Sequence, residues 1–272
     1  MRIPAPAWLT ERVPRDHWEP DAAFARRRKV VGAVSVAGAG LLGVSLSTEP
    51  GSPEFYGLTL AVAATYTAGG LASGPLHRGW ARGPDGALHR PVLVPVLVGA
   101  GAFGVFYAAA LVARHVPVLD RAISSVLQYS DEGADRLVLL TTLANGVAEE
   151  VFYRGAVFAA LGAGALGTGR PVLATTAVYT LATCATRNPA LVLASTAMGT
   201  LFALQRRATG GIQAPMISHV TWSALMLRHL PPLFGKQSSG LLGPGARVSS
   251  ATPSSTTLSS TTRWRAGRTR LR

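Results

Sequence analysis

A single cysteine, Cys184, is all the thiol chemistry the chain possesses. It excludes an internal disulfide and any cysteine-based zinc motif. Its simplest reading is a small buried helix residue. Charge is the second shortage. Only 14% of residues are charged, and mean hydropathy is +0.29. A soluble domain is nearer a quarter charged. Acidic residues are the scarcest charged class, 13 against 26 basic ones, and none follows Glu150. Several hydrolase signatures are missing as well: His-Glu-x-x-His, Gly-x-Ser-Gly, Gly-x-Gly-Asp and the Gly-x-Ser-x-Gly elbow. The first 25 residues are polar and carry prolines, so a cleavable signal peptide is not expected there.

What the chain does have is long apolar runs. A membrane helix needs about 20 mostly apolar residues. Candidate spans lie at 30–48, 56–75, 92–113, 137–162, 171–186, 189–204 and 212–230. The fifth and sixth are short and separated by "TRNP", which predicts a tight helical hairpin. The runs are too long for strands and lack the alternation of a barrel. Small residues crowd several of them, as in "GAVSVAGAGLLG", "GGLASG" and "GAGAFG", and allow close helix approach. The expected fold is therefore all-α: a polytopic membrane helical bundle of about seven spans with disordered tails. Residues 1–29 form an N-terminal tail, 30–136 the first membrane helices, 137–230 a helical core, and 231–272 a Ser/Thr/Arg-rich disordered tail.

The formal net charge is +13. The basic residues sit in tails and between apolar spans, so anionic lipid headgroups are the natural partner. No surface combines aromatic and basic residues to read bases, so nucleic acid is not expected. Loop charges also set an orientation. "ARRRK" (25–29), "HRGWARGPDGALHR" (77–90) and "QRR" (205–207) read as cytoplasmic. "STEPGSPEFY" (47–56) and "DRAISSVLQYSDEGADR" (120–136) read as the opposite side. The chain is expected in the cell membrane, multi-pass, with its N-terminus in the cytoplasm.

Among the acidic residues, only Glu149 and Glu150 fall within an apolar span. An ionised carboxylate in hydrocarbon costs at least a few kcal/mol, so something must compensate. Glu150 and Arg154 are four apart with the carboxylate first, the favourable order for a helical ion pair. Glu149 is rotated by about 100° from Glu150. It shares a face with Asn145 and Tyr153, one turn to either side. That frees Glu149 to act as a general base toward water. A purely structural salt bridge explains Glu150 and Arg154 but leaves Glu149 without a partner. A second polar island is "APMISHVTWSALM" (214–226), where His219 and Ser223 share a helix face. Of six histidines, only His219 sits mid-span. It could donate to an oxyanion or help to bind a metal.

At these residues the chain resembles the CPBP family, which comprises the CaaX prenyl proteases and the bacteriocin-processing or immunity proteins, also called abortive-infection proteins. The family carries Glu-Glu-x-x-x-Arg, matched in full by "EEVFYR" (149–154). Its last motif is His-x-x-x-Asn or a variant. "APMISH" and "HVTWS" put His219 on the histidine and Ser223 where Asn usually stands. The middle motif, Phe-x-x-x-His, aligns with "VYTLATCA", with Tyr179 on the Phe and Thr183 on the His. The resemblance covers about residues 137–230. It implies a membrane peptidase acting on membrane-associated or lipidated peptides. Glu149 would activate water, Glu150 and Arg154 would brace the site or bind substrate, and His219 with Ser223 would stabilise the oxyanion. The family is labelled a metalloprotease, which implies a divalent metal such as zinc held by Glu149 and His219. A metal-free glutamate mechanism is also argued for it. A three-ligand zinc site here would need both glutamates beside His219.

Thr183 can neither act as a base nor bind a soft metal well, which sets up a second reading: an inactive CPBP-like membrane scaffold or immunity protein. A third is a proton-coupled transporter with Glu149 as its titrating group. Duplicated halves would favour the transporter, yet the charged motifs occur only in the second half. For the peptidase reading, Glu149, Thr183, His219 and Ser223 should converge on one cavity.

Overall fold

The computed structural model describes residues 19–83, 86–131, 135–162 and 171–234. Helix α1 (Asp21–Ser45) starts behind Pro20, with Asp21 at the positive end of its dipole. It begins inside the segment assigned to the N-terminal tail. Helix α2 (Pro53–Ser73) has Pro53 in its first turn and the Ser52 hydroxyl as its cap, accepting from the Phe55 amide at 3.1 Å. Helix α3 spans Leu93–Ala113, and α4 spans Pro117–Asp131. Helix α5 (Asp135–Glu149) runs without a break into a π-helical segment, Glu150–Val157, and then into α6 (Phe158–Gly162). Helix α7 (Pro171–Thr183) closes with a 3₁₀ turn, Cys184–Thr186. Helices α8 (Pro189–Thr209), α9 (Gln213–His229) and the short α10 (Pro231–Phe234) complete the described chain.

The hairpin read at "TRNP" is there, built by local chemistry. Arg187 takes a left-handed conformation, φ 56°, and ends α7. The Asn188 side chain then caps α8 by accepting from the amides of Ala190 and Leu191 at 2.9 and 3.1 Å. Pro189 takes the first helical position, where a missing N–H costs nothing.

Three expectations need correction. Residues 117–131, mostly assigned to a loop, form α4, whose Ala122 and Leu127 are buried while Val118 is exposed. Apolar residues there recur at helical spacing among polar ones, so the segment buries one face. The described fold is mostly helical, as expected, but not purely so. A two-residue antiparallel hairpin pairs β1 (Ala81–Arg82) with β2 (Leu88–His89), and the Gly83 amide donates to the Ala87 carbonyl at 2.8 Å beside it. Cys184 is exposed on its 3₁₀ turn rather than buried. The tails read as disordered fall largely at 1–18 and 235–272, outside the described residues.

Among the described residues, two helices, α1 and α3, are long and apolar enough to cross a membrane, and the apolar helix at Pro171–Thr186 is shorter. Large apolar side chains point outward: Val36 is 77% exposed and Leu93 69%. The inside holds Tyr66, Phe152, Tyr153, Val62 and Val157 as one cluster between α1, α2 and the π-helical segment.

Helix ends meet in two sets. At one end, Tyr129 donates to the Thr48 carbonyl at 2.8 Å, and Asn188 Nδ2 donates to the Ala122 carbonyl at 2.7 Å. At the other, the Trp80 amide donates to the Thr209 carbonyl and the Ile212 amide to the His77 carbonyl, each at 2.8 Å. Arg27, in the basic "ARRRK" run, is 1% exposed and is no free surface charge. It pairs with Glu19 and donates to Ser73 Oγ at 3.1 Å and the Pro75 carbonyl at 3.0 Å.

Two glycines let the site helices close up. A Cβ on Gly70 of α2 would lie 2.7 Å from Val151 Cγ1. A Cβ on Gly99 of α3 would lie 2.6 Å from the carbonyl oxygen of Ser218, the residue before His219. Ser218 Oγ donates to the Pro95 carbonyl and accepts from Gln205 Nε2, both at 2.8 Å, which ties α9 to α3 and α8.

Candidate active site

The π-helical segment is the centre of the molecule. All eight of its residues, Glu150 to Val157, are buried. An ordinary amphipathic helix buries one stripe, so this segment is enclosed on every face. A π turn carries an extra residue per hydrogen-bonded ring, and such turns concentrate at functional sites. Glu150 and Arg154 are both 0% exposed. The ion pair expected between them forms, with Arg154 Nη1 2.9 Å from Glu150 Oε1. Arg154 Nη2 also donates to the Gly199 carbonyl at 3.3 Å. Its guanidinium lies 4.8 Å from the Tyr179 ring centroid and 5.2 Å from that of Phe202. Arg206 Nε donates to the Arg154 carbonyl at 2.7 Å, so α8 grips this segment by its backbone too.

His219 comes in from α9. Its Nδ1 lies 2.8 Å from Glu150 Oε1, the oxygen that also takes Arg154. Its ring stacks on Phe202, with centroids 4.8 Å apart. Nδ1 is thus committed to Glu150, and Nε2 is the ring nitrogen left to act.

Glu149 is half-buried and takes a different partner. The Tyr179 hydroxyl on α7 donates to its Oε2 at 2.6 Å. The neighbours expected on its own helix face are engaged elsewhere. Asn145 Nδ2 donates to the carbonyls of Thr59 at 3.1 Å and Thr141 at 2.9 Å. Tyr153 shares a 2.9 Å hydrogen bond with the Tyr66 hydroxyl. The widened π turn explains the second case, because four residues no longer complete a full turn.

The structure therefore brings together Glu149, Glu150, Arg154 and His219, adds Tyr179, and leaves two expected residues at the margin. Thr183 is buried, but its hydroxyl donates to the Tyr179 carbonyl at 2.9 Å, within its own helix. Ser223 is buried one turn beyond His219 and makes no hydrogen bond to Glu149, Glu150 or Arg154 among the described contacts. Tyr179 was legible only as the residue standing on a motif phenylalanine. Phe202 and Arg206 carried no signal in the sequence, because their roles depend on how α8 lies across the π-helical segment.

A zinc site held by Glu149 and His219 does not fit this arrangement. Among the described residues, no three of His, Cys, Asp and Glu gather as a metal-binding group. Protein-bound zinc takes at least three such donors. Here His219 Nδ1 and Arg154 both serve one oxygen of Glu150.

Fold and site together define a helical protein with an apolar exterior and a buried carboxylate–arginine–histidine centre. Residues 136–225 match a family model described as type II CAAX prenyl endopeptidase Rce1-like, in keeping with the CPBP resemblance of the motifs. The match takes in the whole charged centre and covers roughly a third of the chain. It is a family of CAAX endopeptidases, which supports protease activity in general. With the two long apolar helices, it points to a membrane protein. No curated protein and no solved structure matches the chain.

Proposed function

We propose that this chain is a multi-pass membrane endopeptidase that cleaves membrane-associated or lipidated peptides with water activated by Glu149. One observation carries the reading. Arg154 and His219 are both spent on Glu150, which leaves Glu149 beside them with no ion-pair partner among the described residues and with a tyrosine hydroxyl donating to it. A buried ion pair needs one carboxylate, and a second one beside it is costly. That cost is understandable if Glu149 takes up a proton during turnover.

In this mechanism Glu149 takes a proton from water as the oxygen attacks the peptide carbonyl. The same carboxyl returns the proton to the departing amine, so the C–N bond breaks with charge balanced. With the ring protonated, His219 donates Nδ1–H to Glu150, which fixes it, and Nε2–H to the oxyanion. Ser223, one turn along α9, is a second donor within reach of that helix face. Arg154 holds Glu150 in place through Nη1. No step passes through a metal. Membrane lipids are the surrounding partner, and nucleic acid has no part.

The multi-pass reading is supported by the two sets of helix ends. Segments read as cytoplasmic from their charge (25–29, 77–90, 205–207) are those whose neighbours meet through Arg27, His77, Trp80 and Thr209. Segments read as opposite (47–56, 120–136) meet through Thr48, Tyr129 and Asn188. The helices at 21–45, 53–73, 93–113, 135–162, 171–186, 189–209 and 213–229 would alternate between the two sides, with the N-terminus in the cytoplasm.

A second reading has its own observation. Thr183 turns its hydroxyl back onto Tyr179, so α7 brings no base to the centre. A relative that binds but does not cleave fits that feature. Purified protein in nanodiscs, given a library of lipidated and transmembrane peptides, separates the two by mass spectrometry. Cleavage by wild type, lost in Glu149→Gln and His219→Ala, supports the peptidase. Binding without cleavage moves the assignment to a scaffold or immunity-type protein.

A further inference from the structure

Helix α7 presents a hydroxyl to Glu149 where the CPBP pattern leads one to look for an imidazole one turn later. We propose that Tyr179 is the positioning residue for Glu149, taking over the place of the histidine that Thr183 has replaced. The inference rests on the reading of Glu149 as the water-activating group.

The contact itself is specific. At 2.6 Å, the Tyr179 hydroxyl to Glu149 Oε2 distance lies in the range of a charge-assisted O–H···O⁻ bond. Tyr179 is the described donor to that carboxylate. Its ring is also held from three sides. The Tyr153 ring lies 4.6 Å away, centroid to centroid. The Arg154 guanidinium lies 4.8 Å from the ring. Helix α8 approaches so closely that a Cβ on Gly199 would lie 3.1 Å from Tyr179 Cδ1. A phenolic hydroxyl on a ring so confined has little freedom, and it can hold one carboxylate oxygen in place. The other oxygen, Oε1, is then the one to take the proton from water.

The same geometry explains why Thr183 is tolerated. Its hydroxyl is satisfied by the Tyr179 carbonyl, so it needs nothing from the centre. A buried tyrosine always looks for a partner, but here the partner is Glu149, which has no ion pair among the described residues, rather than the adjacent Glu150, which has. The chain carries two departures from the Phe-x-x-x-His pattern, a hydroxyl gained at 179 and an imidazole lost at 183. Both fall on one face of α7, four residues apart, and one offsets the other.

Two measurements on the full chain in nanodiscs test this. In the first, infrared spectroscopy follows the carboxyl stretch assigned to Glu149 by its disappearance in Glu149→Gln. Tyr179→Phe keeps the ring and its packing and removes only the hydroxyl. A shift of the Glu149 band in Tyr179→Phe is expected, and an unmoved band overturns the proposal whether or not the protein cleaves anything. The second uses a lipidated peptide that wild type cleaves. Tyr179→Phe should lower kcat roughly ten- to a hundredfold with little change in KM, as misplacing a reacting group does. Adding Thr183→His to Tyr179→Phe should restore part of the loss. A merely structural tyrosine would not be rescued by an imidazole one turn away. Full kcat in Tyr179→Phe overturns the proposal. Absence of cleavage by wild type counts against the peptidase reading and leaves the infrared result to decide on Tyr179.

Discussion

His219 Nδ1 and Glu150 Oε1 stand 2.8 Å apart across two helices that are 69 residues distant in sequence. The same oxygen receives Arg154. One carboxylate thus joins α9 to the π-helical segment and fixes both the cation and the imidazole. Removing it should be felt throughout the core. Glu150→Ala strands the buried Arg154, and the expected loss is about 3–5 kcal/mol. Unfolding in mild detergent, followed by tryptophan fluorescence or by proteolysis, measures it. A variant as stable as wild type would show that the pair contributes nothing.

Glu149 should behave in the opposite way. It has no ion-pair partner among the described residues, and a glutamine in its place still accepts from Tyr179. Glu149→Gln should be at least as stable as wild type, the pattern of a side chain kept for function at the expense of stability. A melting comparison of the two in one detergent is sufficient. A strongly destabilised Glu149→Gln would indicate a structural carboxylate.

The Tyr66–Tyr153 pair gives a third test. Both residues are at most 1% exposed and their hydroxyls are 2.9 Å apart. Phenylalanine at either position leaves the other hydroxyl buried and unpaired, at a cost of about 1–3 kcal/mol. Phenylalanine at both removes the orphan. The double variant should therefore lose less than the sum of the single ones, and simple additivity in this double-mutant cycle would contradict the contact.

Close approach at Gly99 is a fourth. An added methyl would sit 2.6 Å from the Ser218 carbonyl oxygen, which is backbone and cannot swing aside. Gly99→Ala should cost about 1–3 kcal/mol, as overpacking does, and should lower peptide cleavage by displacing His219. Unchanged stability and turnover together would mean that α3 and α9 separate freely.

Cys184 is a native reporter of topology. It is the chain's one cysteine and is exposed on the turn between α7 and α8. With the N-terminus in the cytoplasm, this turn falls on the opposite side. A membrane-impermeant maleimide should label intact cells. Labelling only after permeabilisation would invert the proposed orientation.

The sequence by itself determined a good deal here. Long apolar runs can only be helices, because hydrocarbon leaves no other way to satisfy so many backbone groups. The spacing of Glu150 and Arg154 allows an ion pair within one helix, and Asn188 with Pro189 starts a helix wherever it stands. Each of these is decided within about one turn of chain, so it can be read from neighbours. The helical period over 117–131 was also present in the sequence but is easily taken for a polar loop, because its apolar face is narrow.

What only the tertiary structure decided is which group meets which. Tyr179 and His219 lie on separate helices, and nothing local says that one serves Glu149 and the other Glu150. The choice depends on the π turn, which shifts the register of the residues after Glu149, and on α3, α8 and α9 closing around it through contacts at Gly99, Gly199 and Ser218. Distances between helices are set by side-chain volume at a few crossing points, and that volume acts only once the helices have been brought together.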